Sequence, residues 1–391
     1  MSTTRSRLLT CASILVFGMF QTSISSAQQP PAGRQPPSVD EIFNRLDKNH
    51  DGKLSRDELP EPMRRNFDRV DADGDGAITR EEDAAFRRRG PAGGATRPAT
   101  PPQPRISDAV RFEPDIPYAD TDNPRQKLDL LLPKKPGDDK PLPVVVWIHG
   151  GAWRGGDKRS GLGMLSEYVA SGNYAGVSVG YRLTGEAMWP VQIHDCKAAI
   201  RWIRGNAERY NLDPQRIGVW GSSAGGHLVA MLGTGGDVKE LEGDLGNHAD
   251  QSSRVTCVVD YFGPADLLSM GQFPSNIAHD APDSPESRLV GGPLQETKDA
   301  ARSASPATYV SKDDPPFLIV HGDKDPLVPH NQSVRLDEAL HKAGADVSFI
   351  TIQGGGHGGF HGEELPRRVQ QFLDKHLRGQ DAEISEEPIS H

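Results

Sequence analysis

From about residue 105 onward, short apolar runs rich in β-branched residues alternate with stretches of helical periodicity. The runs are QKLDLLL, PVVVWIHGG, NYAGVSVGYR, RIGVWGSS, RVTCVVDYFG, PFLIVHGD and DVSFITI, with helical patterns such as 190–209 and 331–343 between them. A strand covered on both faces reads as a continuous apolar run, because neither side of its pleat meets water. Alternation with helices predicts an α/β fold over 105–378: a mostly parallel sheet with helices on both faces. Ahead of it, 39–89 carries a charged helical pattern broken by two Asp/Gly-rich interruptions, which predicts a small all-α module. Residues 28–38 (QQPPAGRQPPS) read as disordered, and 90–104 (GPAGGATRPATPPQP) as a Pro/Gly-rich linker. The acidic tail, 379–391, is expected to fray.

Composition narrows the function classes. The 391 residues carry a net charge of −10, which lacks the basic footprint of a nucleic-acid binder. Residues 1–27 read as a signal peptide: Arg5 and Arg7 precede an apolar stretch at 8–20, and small Ser25 and Ala27 precede Gln28. The expectation is export to the periplasm or the extracellular space, with no stable membrane insertion after cleavage. Of the cysteines left, Cys196 lies in a helical pattern and Cys257 in a strand pattern, and both read as small buried residues.

The run RIGVW ends at Gly221-Ser222-Ser223-Ala224-Gly225, and a helical pattern follows. This fits G-x-S-x-G, in which the glycines make room for a strained nucleophile between strand and helix. The spacing selects Ser223 rather than Ser222. A serine hydroxyl needs an oriented base to take its proton. In such a fold the acid and then the histidine follow the serine along the chain. PFLIVHGDKDPLVP supplies Asp323 and Asp325 after one strand, and FITIQGGGHGGF supplies His357 after the last. Upstream, WIHGGAW offers the backbone N–H groups of Gly151 and Ala152, and the helix start offers that of Ala224, to a developing oxyanion.

HGGAW, GSSAGGH, HGDKDPLVP and GGGHG together resemble the α/β-hydrolase superfamily, over about residues 106–378. More narrowly they resemble its esterase/lipase group, which includes hormone-sensitive-lipase-like carboxylesterases and feruloyl-esterase-like enzymes. The resemblance implies Ser223 as nucleophile, His357 as base and Asp325 as acid, with Asp323 shaping the turn. HGGAW in place of HGGG favours the feruloyl-esterase-like side. The place of N-terminal cap helices is taken by the acidic module and linker, which argues against a deep lipid-binding cap. His227, Asp195 and Arg201 read as structural, and Trp153 fits either the acyl pocket or the core. The long insertion at 266–312 is the expected source of substrate contacts.

DKNHDGKLSRDE at 47–58 matches a twelve-residue calcium loop. Asp47, Asn49, Asp51, the Lys53 carbonyl, Ser55 and Glu58 take the ligand positions, and Gly52 the turn. DADGDGAITREE at 71–82 repeats it with Asp71, Asp73, Asp75, Ala77, Thr79 and Glu82. Leu54 and Ile78 hold the matching places where paired loops touch. The region resembles an EF-hand pair, which implies two bound Ca2+ ions. Pro60 and Pro62 are expected to shorten the helix between the loops. The close spacing also resembles dockerins, but those loops end in Asp. Taken together, the sequence predicts an exported serine carboxylic-ester hydrolase for small or aromatic acyl esters, free or polysaccharide-linked, needing no cofactor for catalysis. Its calcium module would be structural or would dock a partner. A serine peptidase or formamidase of the same fold, or a calcium-dependent scaffold with an inactive hydrolase domain, are the alternatives.

Overall fold

The computed structural model describes residues 106–390 and, nearer the N-terminus, 43, 45–49, 51–60, 64, 67–71, 77–80 and 82–83. The segments read as signal peptide (1–27), disordered stretch (28–38) and linker (90–104) lie outside the described residues. The chain divides into two compact units, 1–101 and 102–391.

In the first unit, strands β1 (Leu54–Ser55) and β2 (Ala77–Ile78) pair antiparallel with Leu54 opposite Ile78. A short helix, α1 (Phe67–Val70), lies between them in sequence. Phe43, Leu46, Leu54, Leu59, Phe67, Val70 and Ile78 form its apolar cluster.

In the second unit the described strands are β3 (Val110–Pro117), β4 (Lys127–Pro133), β5 (Leu142–Ile148), β6 (Ala175–Val179), β7 (Leu212–Ser222), β8 (Cys257–Tyr261), β9 (Phe317–Gly322), β10 (Val347–Gln353) and β11 (Ile389–Ser390). They form one sheet in the order β11-β10-β9-β8-β7-β5-β6-β4-β3. Pairing is parallel from β11 to β6 and antiparallel at β6–β4 and β4–β3. The α-helices longer than four residues are α2 (Leu162–Ala170), α3 (Val191–Gly205), α4 (Ala224–Thr234), α5 (Pro285–Val290), α6 (Lys298–Ser303), α7 (Asn331–Ala343) and α8 (Glu364–Arg378).

Alternate residues of each central strand feed two layers. Val144, Val146 and Ile148 of β5 join the cluster that includes α3, α4 and α7, while Val145 joins the cluster with α2 and α8. Helix α8 shows why its sequence folds this way. Leu365, Val369, Phe372, Leu373 and Leu377 recur at helical spacing and are buried, and Gly379 ends the helix at φ +68°. The sheet covered on both faces matches the α/β expectation. Cys196 and Cys257 are buried and unpaired.

The tail departs from its expected fraying. Ile389 and Ser390 extend the sheet beside Ile352 and Gln353. The buried Arg368 guanidinium donates to the carbonyls of Ser385 and Glu387 at 2.8 and 2.6 Å. A cation on α8 and an open sheet edge hold a segment too polar to predict its own docking.

Candidate active site

β7 delivers Ser223 to the turn before α4. Its backbone is forced to φ 57°, ψ −122°, a conformation rare for a side chain of this chirality. The Ser223 N–H donates to the Tyr261 carbonyl at 2.8 Å, and its carbonyl accepts the His227 N–H at 2.9 Å. Glycine is required on both sides. A Cβ at Gly221 would stand 2.3 Å from the Gly225 carbonyl oxygen, and one at Gly225 2.1 Å from that of Ile148.

β9 and β10 carry the charged partners. His357 Nδ1 donates to Asp325 Oδ2 at 2.6 Å, which leaves Nε2 as the ring nitrogen able to take a proton. Asp325 Oδ1 accepts the N–H groups of Leu327 and Val328 at 2.7 and 3.0 Å. A second histidine, His321, stands behind: its Nε2 lies 3.2 Å from Asp325 Oδ2 and 3.0 Å from the Val328 carbonyl. A carbonyl can only accept, so Nε2 carries the proton and Nδ1 accepts from the Ser333 hydroxyl at 2.8 Å. Burial pushes the Asp325 carboxyl upward, but the hydrogen bonds from His321 and His357 outweigh it and hold the group well below the usual carboxylate range. Phe262 packs its ring 4.5 Å from that of His357. Ser223 and His357 line one cavity without a hydrogen bond between them, and nucleophile–base contacts of this kind often tighten only as substrate binds. Asp323 instead caps a turn, accepting the Gly354 N–H at 2.7 Å.

The loop after β5 brings the remaining donors. Gly151, Ala152 and Trp153 all have positive φ, at 116°, 54° and 54°. A Cβ on Gly150 would meet the Ser222 carbonyl oxygen at 2.7 Å, so this loop lies directly against the elbow. The N–H groups of Gly151 and Ala152 take no part in the hydrogen bonds of the described residues. Ala224 starts α4, where no intrahelical acceptor exists for its N–H. These groups border a cavity of about 500 Å³ that also holds Ser223 and His357.

Trp153 both lines that cavity and is buried, 2% exposed. Its Nε1–H donates to His227 Nδ1 at 3.2 Å, and His227 Nε2 meets the Ala304 carbonyl at 2.6 Å. Burial lowers the His227 imidazole to about 4, so it serves as a neutral strut beneath the elbow. Asp195 takes Gln126 and Arg182, and Arg201 takes Glu242, both away from the cavity. Sequence reasoning named no residue in 266–312. The chain brings His279 and Glu286 from that insertion to the cavity wall. Nothing local marks either one, because their closeness arises only from folding.

In the first unit, the Gly52 N–H donates to Asp47 Oδ2 at 2.9 Å, and Asp47 Oδ1 is buried with no hydrogen-bond partner. Glu58 accepts the N–H groups of Lys48, Asn49 and Ser55 and the Ser55 hydroxyl. Those Ser55 bonds lead in lowering its carboxyl to about 2. Asp51 Oδ1 accepts the Lys53 N–H, and Asn49 pairs with Asp51. Glu82 takes the Thr79 N–H and hydroxyl, as Glu58 does those of Ser55. Asp71 and Ala77 are also described, whereas Asp73 and Asp75 lie outside the described residues. Among the described residues no three Asp, Glu, His or Cys side chains converge on one point. The donor type nevertheless fits a hard cation: every side-chain ligand offers oxygen, and the buried Asp47 Oδ1 lacks a donor of its own.

Comparison with known proteins adds a family. The BD-FAE family model matches residues 128–340, and the EF hand model matches 39–61 and 65–82. Esterase LipC of Mycobacterium tuberculosis is 33% identical over 239 residues, which are 61% of this chain and 58% of that protein. The chain spans little more than half the length of the curated relatives it matches. A truncated carbohydrate esterase from gut microbiota superposes with a TM-score of 0.64 at 35% identity, covering 70% of this chain and 99% of that one. A bifunctional GH43-CE protein of Bacteroides eggerthii does so at 0.62 and 36% identity, covering 70% and 36%.

Proposed function

This chain belongs to the BD-FAE family of α/β-hydrolase esterases, and on that premise we propose that it is a serine carboxylic-ester hydrolase. In this reading Ser223 Oγ attacks the ester carbonyl carbon while His357 Nε2 takes its proton. Asp325 fixes the imidazole through Nδ1 and stabilises the imidazolium. The N–H groups of Ala224, Gly151 and Ala152 receive the oxyanion. The alcohol leaves with the proton from His357, and water then releases the acid from the acyl-enzyme by the same route. The observation that carries the proposal is the 2.6 Å His357–Asp325 contact in the cavity that holds the strained Ser223.

A cavity of about 500 Å³ suits a small or aromatic acyl group. The likeness to carbohydrate esterases favours acetyl or feruloyl groups carried on polysaccharide. In the first unit, Asp47, Asn49, Asp51, the Lys53 carbonyl, Ser55 and Glu58 would hold one Ca2+, and Asp71, Asp73, Asp75, the Ala77 carbonyl, Thr79 and Glu82 a second. Bound calcium would supply a fixed positive charge that orders the loops, in a structural or docking role. Residues 1–27 would direct export.

A release assay on acetyl, butyryl and feruloyl esters and N-formylkynurenine tests this, using protein recovered from the exported fraction with a mass that starts at Gln28. Wild type is expected to cleave esters, and Ser223→Ala to lose more than about 10⁴-fold, since removing the nucleophile of such a triad costs on the order of 10⁶-fold in kcat. Equal activity in the two proteins would remove Ser223 from the mechanism. Cleavage of the formamide alone would favour the formamidase reading. Two folded but inert proteins would favour the scaffold, and an intact leader on the recovered protein would refute cleavage.

A further inference from the structure

The cavity wall contains a buried polar pair that the proposed triad does not use. His279 and Glu286, 1% and 3% exposed, both line the cavity of Ser223 and His357. His279 Nδ1 stands 3.1 Å from Glu286 Oε1, yet it is out of line for a hydrogen bond. Glu286 Oε2 also has no partner.

Ser275 holds the ring from its other side. The Ser275 hydroxyl has two backbone carbonyls in reach, that of Leu327 at 3.0 Å and that of Pro326 at 3.3 Å. Ser275 Oγ also accepts the Ile277 N–H at 3.0 Å and lies within hydrogen-bond distance of His279 Nε2 at 3.0 Å. On the Glu286 side His279 Nδ1 is left without a hydrogen bond. At this spot the wall leaves Glu286 Oε2 without a donor, while Arg154 and the N–H groups of Gly151 and Ala152 border the same cavity. Leaving such an acceptor unmatched in a site closed to water is costly, and a ligand that brings donors removes that cost. A carboxylate or sulfate brings none and is repelled by Glu286. A hydroxyl is a neutral donor that matches.

We propose that Glu286, backed by His279, is a specificity-determining acceptor that reads a hydroxyl group on the ester substrate. This rests on the esterase reading above. Ile277, Phe262, Pro285 and Leu327 line the same cavity, so Glu286 stands as a polar spot in partly apolar surroundings, with Arg154, His279 and His357 as the other ionisable side chains on that lining. Two sources share this chemistry: a sugar hydroxyl beside the ester on the alcohol side, and a phenolic hydroxyl on an aromatic acyl group.

The test measures kcat/KM on two matched pairs. One is methyl ferulate against methyl 3,4-dimethoxycinnamate. The other is a monoacetylated methyl xyloside against its di-O-methyl ether. Wild type is expected to prefer the hydroxyl-bearing member of one pair at least tenfold, and that pair names the source. In Glu286→Gln the preference ratio should fall several-fold, and in Glu286→Leu it should approach one or invert. Thermal melting of each variant checks the fold. If both members of each pair lose rate together and the ratio holds, the pair merely braces the insertion and the proposal fails. A wild-type ratio near one for both pairs also overturns it while leaving the esterase reading intact. Failure to cleave any ester, by contrast, would overturn the esterase reading and this one with it.

Discussion

Asp260 lies at the end of β8, under the elbow that carries Ser223. Its Oδ1 accepts the Gly263 N–H at 2.9 Å, and its Oδ2 is buried with no partner. Gly226 and Gly263 leave it no slack, since a Cβ on either would come within about 2.5 Å of Oδ1. Burial, countered in part by the Gly263 N–H, raises the carboxyl from 3.8 to about 7. The sign of its effect on stability follows. Between about pH 4 and 7 the folded state holds a proton that the unfolded state has released, so this group's contribution falls as pH rises through that window and is level above it. From pH 5 to 8 the loss is on the order of 3 kcal/mol. Asp260→Asn keeps the Gly263 hydrogen bond and removes the titration. The melting temperature of the variant minus that of wild type should therefore grow from pH 5 to pH 8. A difference that does not change with pH would rule out this account.

At the scale of elements, apolar density marks the strands that the core covers and misses those it does not. The central strands coincide with the β-branched runs of the sequence. β3 does not, because it is an edge strand with mixed exposure, a bulge between Glu113 and Ile116, and proline at 114 and 117. β11 is equally hidden, since a two-residue strand needs only an open edge and the carbonyl acceptors that Arg368 finds. The same logic divides the site. Ser223, Asp325 and His357 each follow an apolar run, so strand ends predict their meeting place. His279, Glu286 and His321 carry no such sign, because their partners are remote or lie inside strand and loop geometry. The docked tail can be tested directly. Deleting 384–391 strips two carbonyls from the buried Arg368, leaving it to Glu364 at 2.8 Å. Charge-assisted bonds of this kind suggest a loss of about 2 kcal/mol in stability. The deletion should lower the melting temperature while kcat/KM on an acetyl ester stays within twofold. An unchanged melting temperature would mean that the segment contributes nothing to stability.

At the scale of the molecule, two units of unequal resources share one chain. The second builds its core on a nine-stranded sheet, whereas the first has an apolar cluster of seven described residues. Units this short commonly supplement their apolar core with a metal, which offsets part of the entropy of ordering their loops. The first unit also concentrates carboxylates, with Asp47, Asp51 and Glu58 in one twelve-residue loop, so a cation would relieve their repulsion as well as satisfy Asp47 Oδ1. Calcium is therefore expected to act on the folding of this unit. Turnover in the other should be independent of it, because the Pro/Gly-rich composition of 90–104 transmits little strain. In differential scanning calorimetry of the full chain, a chelator should lower or abolish one transition and leave a second in place, with added Ca2+ restoring the first. Over the same titration kcat/KM on a small acetyl ester should stay within twofold. A fall in turnover that precedes any loss of the first unit's structure would instead make calcium a regulator of catalysis, and the two units would have to be energetically coupled.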